Sequence, residues 1–191
     1  MTTTSRSLVR AVGFAAMIAL GLSVTACGGD SGDGLPPPAS PPADTPAQTI
    51  DPEHQQILDV YYGSVDAMVA AQAAGDPDYP DLANYFLVGA AALMNVESGI
   101  QHNNLRGTYY LGDLEVVSAT VTEVDLEAEP PVAVIEACLD YSNYLLVHRE
   151  DDSRVPGVEP PGRHPVTNQA VLGTDGFWYI ATSETHWTES C

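Results

Sequence analysis

The chain has 191 residues, 45% of them hydrophobic, and a formal net charge of −20 at pH 7. Its 26 acidic residues are set against six arginines and no lysine. That balance argues against nucleic acid as a partner, because such binding rests on cationic contacts to phosphate, and against adhesion to an anionic bilayer by charge.

The first ten residues hold Arg6 and Arg10 and no acid. An apolar run of 16 residues follows, Ala11 to Ala26. A membrane-spanning helix needs about 20 apolar residues, so the basic start and short run predict a cleaved export signal over residues 1–26. Val24-Thr25-Ala26-Cys27 resembles the lipobox of bacterial lipoproteins. The resemblance implies that Cys27 carries a diacylglycerol thioether and becomes the first residue after cleavage. The expected location is the extracytoplasmic face of the bacterial cell membrane, with the membrane reached through the lipid on Cys27. Each buried methylene contributes about 0.8 kcal/mol, so two or three acyl chains anchor durably. All 26 acids and four of the arginines lie beyond Cys27, which leaves that part at about −22.

Residues 27–50 form the next unit. After Cys27 they are nearly all Gly, Ser, Pro, Ala, Asp and Thr with little to bury, and they predict a disordered tether with polyproline II character over Pro36–Ala43. Such a tether spans about 70 Å if fully polyproline and about 25 Å as a coil.

Residues 51–191 fit one domain by size. Asp51 as N-cap and Pro52 as first residue predict a helix to Ala74, stopped by Gly75. Ile57, Leu58, Tyr61, Val65, Met68, Val69 and Gln72 recur at helical spacing. A short helix is expected over Asp81–Tyr85 and another over about Leu87–Leu105. Strands follow at Leu114–Leu126, Val132–Leu146, Pro165–Leu172 and Phe177–Trp187, with Gly173-Thr-Asp-Gly176 as a hairpin turn. Helices followed by a run of antiparallel strands indicate an α+β fold.

With Cys27 assigned to lipid, Cys138 and Cys191 remain in an oxidising compartment. One disulfide is the simplest outcome. Closing a loop of 53 residues, it would stabilise the fold by roughly 4 kcal/mol on the chain-entropy model. Two redox-active thiols would call for a C-x-x-C motif or a neighbouring base, and the sequence shows neither.

Asp76-Pro77-Asp78-Tyr79-Pro80-Asp81-Leu82, Ala133-Val-Ile-Glu-Ala-Cys138-Leu-Asp140-Tyr-Ser142 and Gly176-Phe-Trp178-Tyr-Ile180 resemble segments of small secreted and lipid-anchored actinobacterial proteins. Those proteins look like nuclear transport factor two-like domains, also described as ketosteroid isomerase-like or cystatin-like cones. The resemblance covers about residues 51–191. It implies helices closing the concave face of a curved antiparallel sheet of four or more strands. It implies no single activity, since the fold hosts isomerases, dehydratases, cyclase-like proteins and non-catalytic domains.

No nucleophile motif or phosphate loop is present. The five histidines, His54, His102, His148, His164 and His186, show no metal-ligand spacing, and the acids form no calcium loop. No metal and no cofactor is implied. Strand parity places Ile135, Ala137, Leu139 and Tyr141 on one face, expected to meet the helices, and Glu136, Cys138, Asp140 and Ser142 on the other. Asp140 therefore counts as an outer-face residue unless a bulge intervenes.

The pocket candidates are Tyr109, Tyr141 and Trp178, with Tyr110 and Tyr61 also considered; ordinary aromatic core competes for each. His102 and Asp113 are the weak candidates for acid–base catalysis. The favoured function is a non-catalytic, membrane-anchored domain that binds an envelope protein or a small apolar ligand. The alternatives are an isomerase, dehydratase or cyclase-like enzyme, or an accessory protein with a collapsed cone. Catalytic candidates facing solvent would count against the enzyme, and an open cone against the accessory protein.

Overall fold

The computed structural model describes residues 51–191. The expected export signal, the lipidated Cys27 and the tether lie outside the described residues. Helix α1 runs from Pro52 to Ala74. The Asp51 carboxylate accepts the Glu53 amide at 2.9 Å, which satisfies one of the orphan donors of the first turn. Gly75 ends the helix at φ 67°, in the left-handed region. Ile57, Tyr61, Ser64, Val65, Ala67 and Ala71 are buried along one stripe.

A short helix, α2 (Leu82–Tyr85), leads to α3 (Ala91–Leu105). The expected start of α3 at Leu87 is four residues early. The Leu87 amide instead donates to the Ile180 carbonyl at 3.0 Å, and Gly89 takes φ 79°. The chain thus leaves the sheet edge before it coils, and Val88 is left exposed.

Four strands form one antiparallel sheet in the order β1-β2-β3-β4. They are β1 (Thr108–Asp125), β2 (Val132–His148), β3 (Arg163–Leu172) and β4 (Trp178–Thr185). β1 begins six residues before the predicted Leu114, because Thr108–Gly112 pair with Tyr144–His148. Tyr109, Tyr110 and Leu111 are strand formers that the preceding helix pattern obscures.

Bulges bend the sheet. The β1–β2 register slips between Asp113 and Glu115, between Val116 and Ser118 and between Val121 and Glu123. The β3–β4 register slips at Gln169/Ala170. Each extra residue kinks its strand and increases twist. The consequence is visible in α1, which packs on both β1 and β4, the two outermost strands. Four flat strands would hold those edges roughly 14 Å apart at the usual spacing. One helix reaches both because the sheet curls into a cone around it. The fold is α+β, with helices on the concave face.

The core lies between the helices and that face. Ile57, Ile100, Ile135 and Ile180 are almost fully buried there. On the outer face Cys138 and Cys191 form a disulfide with a Cα–Cα distance of 5.9 Å. The segment that carries Cys191 is also tied by backbone: the His186 amide donates to the Pro165 carbonyl at 2.9 Å. Both ring nitrogens of buried His164 face carbonyl oxygens, Glu189 at 2.6 Å and Pro161 at 3.0 Å.

Candidate functional site

The inner surfaces of α1, α3 and the sheet diverge around a cavity of about 200 Å³. Its apolar walls are Val65 and Met68 from α1, Val96 from α3, Phe86 before it, and Leu139 and Ile180 from the sheet. Tyr61, Asn95, Tyr141, Asn168, Ser183 and Thr185 supply its polar atoms. No Asp, Glu, His or Arg is among the lining residues.

Alternation along β2 and β3 explains the sheet wall. Leu139 and Tyr141 share the inner face of β2. Val166, Asn168 and Ala170 share the inner face of β3, and all three are buried. Asn168 pairs with Ile135 on one side and Ser183 on the other. The bulge in β2 lies between Asp140 and Asn143, so the alternation resets and Tyr144, three residues after Tyr141, is buried as well. Tyr110 stacks on Tyr144 with ring centroids 4.8 Å apart.

The cavity holds two buried polar groups without a protein partner. Tyr61 and Asn168 are each 2% exposed. Neither Tyr61 Oη nor Asn168 Nδ2 makes a hydrogen bond of good geometry among the described residues, although the Asn168 side chain lies near enough to favour the ionised form of the Tyr61 hydroxyl. A buried polar atom left unpaired costs on the order of 1–3 kcal/mol, and native structures keep few of them. Ser64, next along α1, is satisfied by its own helix, donating to the Tyr61 carbonyl at 2.7 Å. Tyr141 Oη lies 3.5 Å from Thr185 Oγ1.

Burial pushes the Tyr61 hydroxyl well above the usual phenol range, and Tyr141 nearby adds to the shift, with the Asn168 side chain opposing it. Burial raises Tyr141 also, with Thr185 opposing. Both are therefore neutral O–H groups at neutral pH. They can donate hydrogen bonds but are poor proton acceptors. Acid–base catalysis works best with a group that titrates near the operating pH, and the lining residues contain no carboxylate or imidazole to serve as one.

The sequence candidates separate on this map. Tyr141 lines the cavity. Trp178 is buried on the same face as Ile180 but sits in packed core and does not line the cavity. Tyr109 lies outside it. Its hydroxyl donates to Asp152 at 2.7 Å, and the Arg149 guanidinium sits 4.7 Å from its ring centre. The Asp152 bond raises its pKa. Tyr109 thus fastens the loop between β2 and β3.

His102 and Asp113, the acid–base candidates, are both exposed. His102 lies in the last turn of α3, and Asp113 pairs with Asn143 where β1 meets the bulge. Neither lines the cavity. Asp140 is on the outer face, where Ser142 and Arg163 hold its carboxyl at about 2. The Arg163 Nε donates to it at 2.7 Å. Among the described residues no cluster of three or more His, Cys, Asp or Glu is placed to hold a metal ion. Among them, too, no helix is long and apolar enough to cross a membrane.

Asn168 was not among the sequence candidates. Its signal is parity: an amide at the inward position between Val166 and Ala170, where the strand pattern calls for an apolar residue.

No protein-family model matches the chain, and no curated protein does. Among solved structures, the intermembrane space region of the chloroplast protein ARC6 aligns with a TM-score of 0.45 at 12% identity, covering 69% of this chain and 95% of that one. At that level the likeness carries no inference about function.

Proposed function

We propose that this chain is a lipid-anchored extracytoplasmic binding protein whose cone takes up a small, neutral, largely apolar ligand. The observation that carries the reading is the open cavity at the centre of the fold. A cone that served only as a scaffold for surface contacts would be filled by its own side chains, since protein interiors pack densely. Here about 200 Å³ stays open. That is somewhat more than the roughly 150 Å³ known to accept benzene, and suits about ten non-hydrogen atoms. Because the lining has no charged side chain, a charged ligand would be buried without a counter-ion, at a cost of many kcal/mol. The net charge of −20 disfavours anions a second time.

The cone-like α+β architecture supports reading the domain as nuclear transport factor two-like. The apolar run, the lipobox-like Val24–Cys27 and the Pro-rich residues after it support an anchored, tethered location. The tether would let the domain sample the layer next to the membrane, where apolar small molecules concentrate. Native mass spectrometry of the chain isolated from its own membranes should show a bound mass of small-molecule size. Repeated isolation of clean ligand-free protein, with no thermal stabilisation by any neutral apolar compound, would count against the binding role. Inhibition of lipoprotein signal peptidase should leave a precursor that retains residues 1–26, and an unchanged mass would refute the anchor.

A further inference from the structure

We propose that residues 186–191 form a strap that gates the cavity, with Trp187 as the gate and the Cys138–Cys191 bridge as its redox-sensitive lock. The proposal rests on the binding role just described and concerns how that site opens. Ser183 and Thr185, at the end of β4, pair with the inward residues Asn168 and Val166, and both line the cavity. Ser183 is exposed, as is Asn95 on the α3 wall, so the space opens to solvent between them. Two residues beyond Thr185, the Trp187 ring packs against Tyr141, a wall of the cavity, with centroids 5.4 Å apart. It also packs against His164 at 5.2 Å. Trp187 is not itself part of the lining, and it is 57% exposed. A large ring half in solvent at the rim of an apolar space is placed to cover the opening without filling it.

From Trp187 the strap leaves the inner face. It passes the start of β3, where the His186 amide donates to the Pro165 carbonyl and His164 Nδ1 meets the Glu189 carbonyl. It ends on the outer face, where Cys191 is bonded to Cys138. The bridge is the covalent tie of the strap. Without it the strap keeps those two contacts and the pairing of His186 Nε2 with Thr167 Oγ1 at 2.9 Å. Each is a single hydrogen bond near solvent, weak beside a covalent bond. Both cysteines line a hollow on the outer face, so an external dithiol reaches the bridge without entering the cavity. Its thiolate attacks one bridge sulfur and the S–S bond breaks. The released cysteine takes up a proton, the second thiol of the reagent displaces the other cysteine, and the reagent leaves as a disulfide. Two electrons and two protons pass from the dithiol to Cys138 and Cys191. The ring then loses its fixed seat on Tyr141, and ligand exchanges faster.

The test measures entry and exit of fluorobenzene by ¹⁹F exchange NMR on the detergent-solubilised full chain, referenced to blank micelles. Reduction by dithiothreitol, and separately Trp187→Ala with the bridge intact, should each raise both rates about two- to tenfold, the range set by losing one ring's aromatic contacts. A gate lowers the barrier and leaves the bound state alone, so entry and exit rise together and Kd does not change. Both changes together should do no more than either one, since they act on one strap. Unchanged rates in both would overturn the gate and leave the binding role intact. A weaker Kd with unchanged entry in Trp187→Ala would make the ring part of the wall and overturn the gate as well. Faster exchange in Trp187→Ala with none on reduction would overturn the lock. Unfolding on reduction would show that the bridge holds the whole fold and would overturn the lock too, while Trp187→Ala still decides the gate. No binding of fluorobenzene at millimolar concentration in any form would overturn the binding role and the gate with it.

Discussion

Replacing Tyr61 by Phe should make the ligand-free protein more stable. The hydroxyl is buried, at 2% residue exposure, and has no partner among the described residues. In the folded state it has lost water and gained no hydrogen bond of good geometry among the described residues; in the unfolded state it is hydrated. Deleting it removes a penalty of about 1–2 kcal/mol and keeps the ring, which packs in the α1 stripe and lies 6.0 Å from the Tyr62 ring. For a domain of this size that should raise the melting temperature by roughly 3–8 °C. Differential scanning calorimetry of the ligand-free chain, with chemical denaturation as a second measure, reads the sign directly. The opposite sign is equally informative. If the hydroxyl were engaged by Asn168 within the protein, its loss would destabilise by about 1 kcal/mol. A drop in melting temperature would therefore refute the description of Tyr61 as an unpaired hydroxyl.

Other perturbations have defined outcomes. Changing Cys138 and Cys191 together to Ala should cost about 4 kcal/mol, since the bridge spans 53 residues; it should also speed amide exchange over His186–Glu189, and unchanged exchange there would show that the backbone ties suffice. Ile135→Ala, at a site with 0% exposure, should cost 2–5 kcal/mol, whereas Asp51→Ala, which removes only the α1 cap, should cost about 1 kcal/mol. Asp140 is held at about 2, first by Ser142 and then by Arg163. Its folded value lies below its unfolded one, so its contribution is present above pH 4 and is lost as pH falls towards 2. Its partner Arg163 is half exposed, so solvent screens the pair and the loss should be small; carboxyl NMR titration is the sensitive measure. In Arg163→Gln the midpoint should rise but stay below the ordinary aspartate value, because the Ser142 bonds remain. A midpoint that does not move would remove the ion pair from the account.

Much of the scaffold was legible in the sequence because it depends on local rules. Asp51-Pro52 and Gly75 bound α1 as a cap, a first-turn proline and a left-handed stop. Parity along Val132–Leu146 placed Leu139 and Tyr141 inside and Asp140 outside. The pairing of Cys138 with Cys191 followed from counting. The misreadings have non-local causes. Tyr109 and Tyr110 carry helix-adjacent positions into β1, and only pairing with Leu146 and Val147 makes them strand. Leu87 and Val88 continue an apolar helical pattern, yet a hydrogen bond to Ile180, more than ninety residues away, holds them out of α3. Bulges also defeat simple alternation: the one after Asp140 is what brings Tyr144 inward beside Tyr141.

The site was less legible than the scaffold for a further reason. Sequence reading searches for groups that do chemistry, and it therefore selected His102 and Asp113. Both lie on the surface, where an acidic chain carries many such groups. What distinguishes the cavity is the opposite: among the described residues the carboxylates and imidazoles stay outside its lining, and the polar groups of its walls are neutral. Tyr61 looked like one more member of a helical stripe, and Asn168 was one unremarked residue of the strand Pro165–Leu172. Their place in the cavity wall comes only from the curl of the sheet, which lets α1 reach both β1 and β4 and leaves a space between α1 and β3. A cavity of that kind discriminates by desolvation. Any ligand must shed its water on entering, and a neutral, largely apolar one does so at least cost. For that reason the decisive comparison is between molecules of one shape and different polarity, and a broad screen by size would miss it.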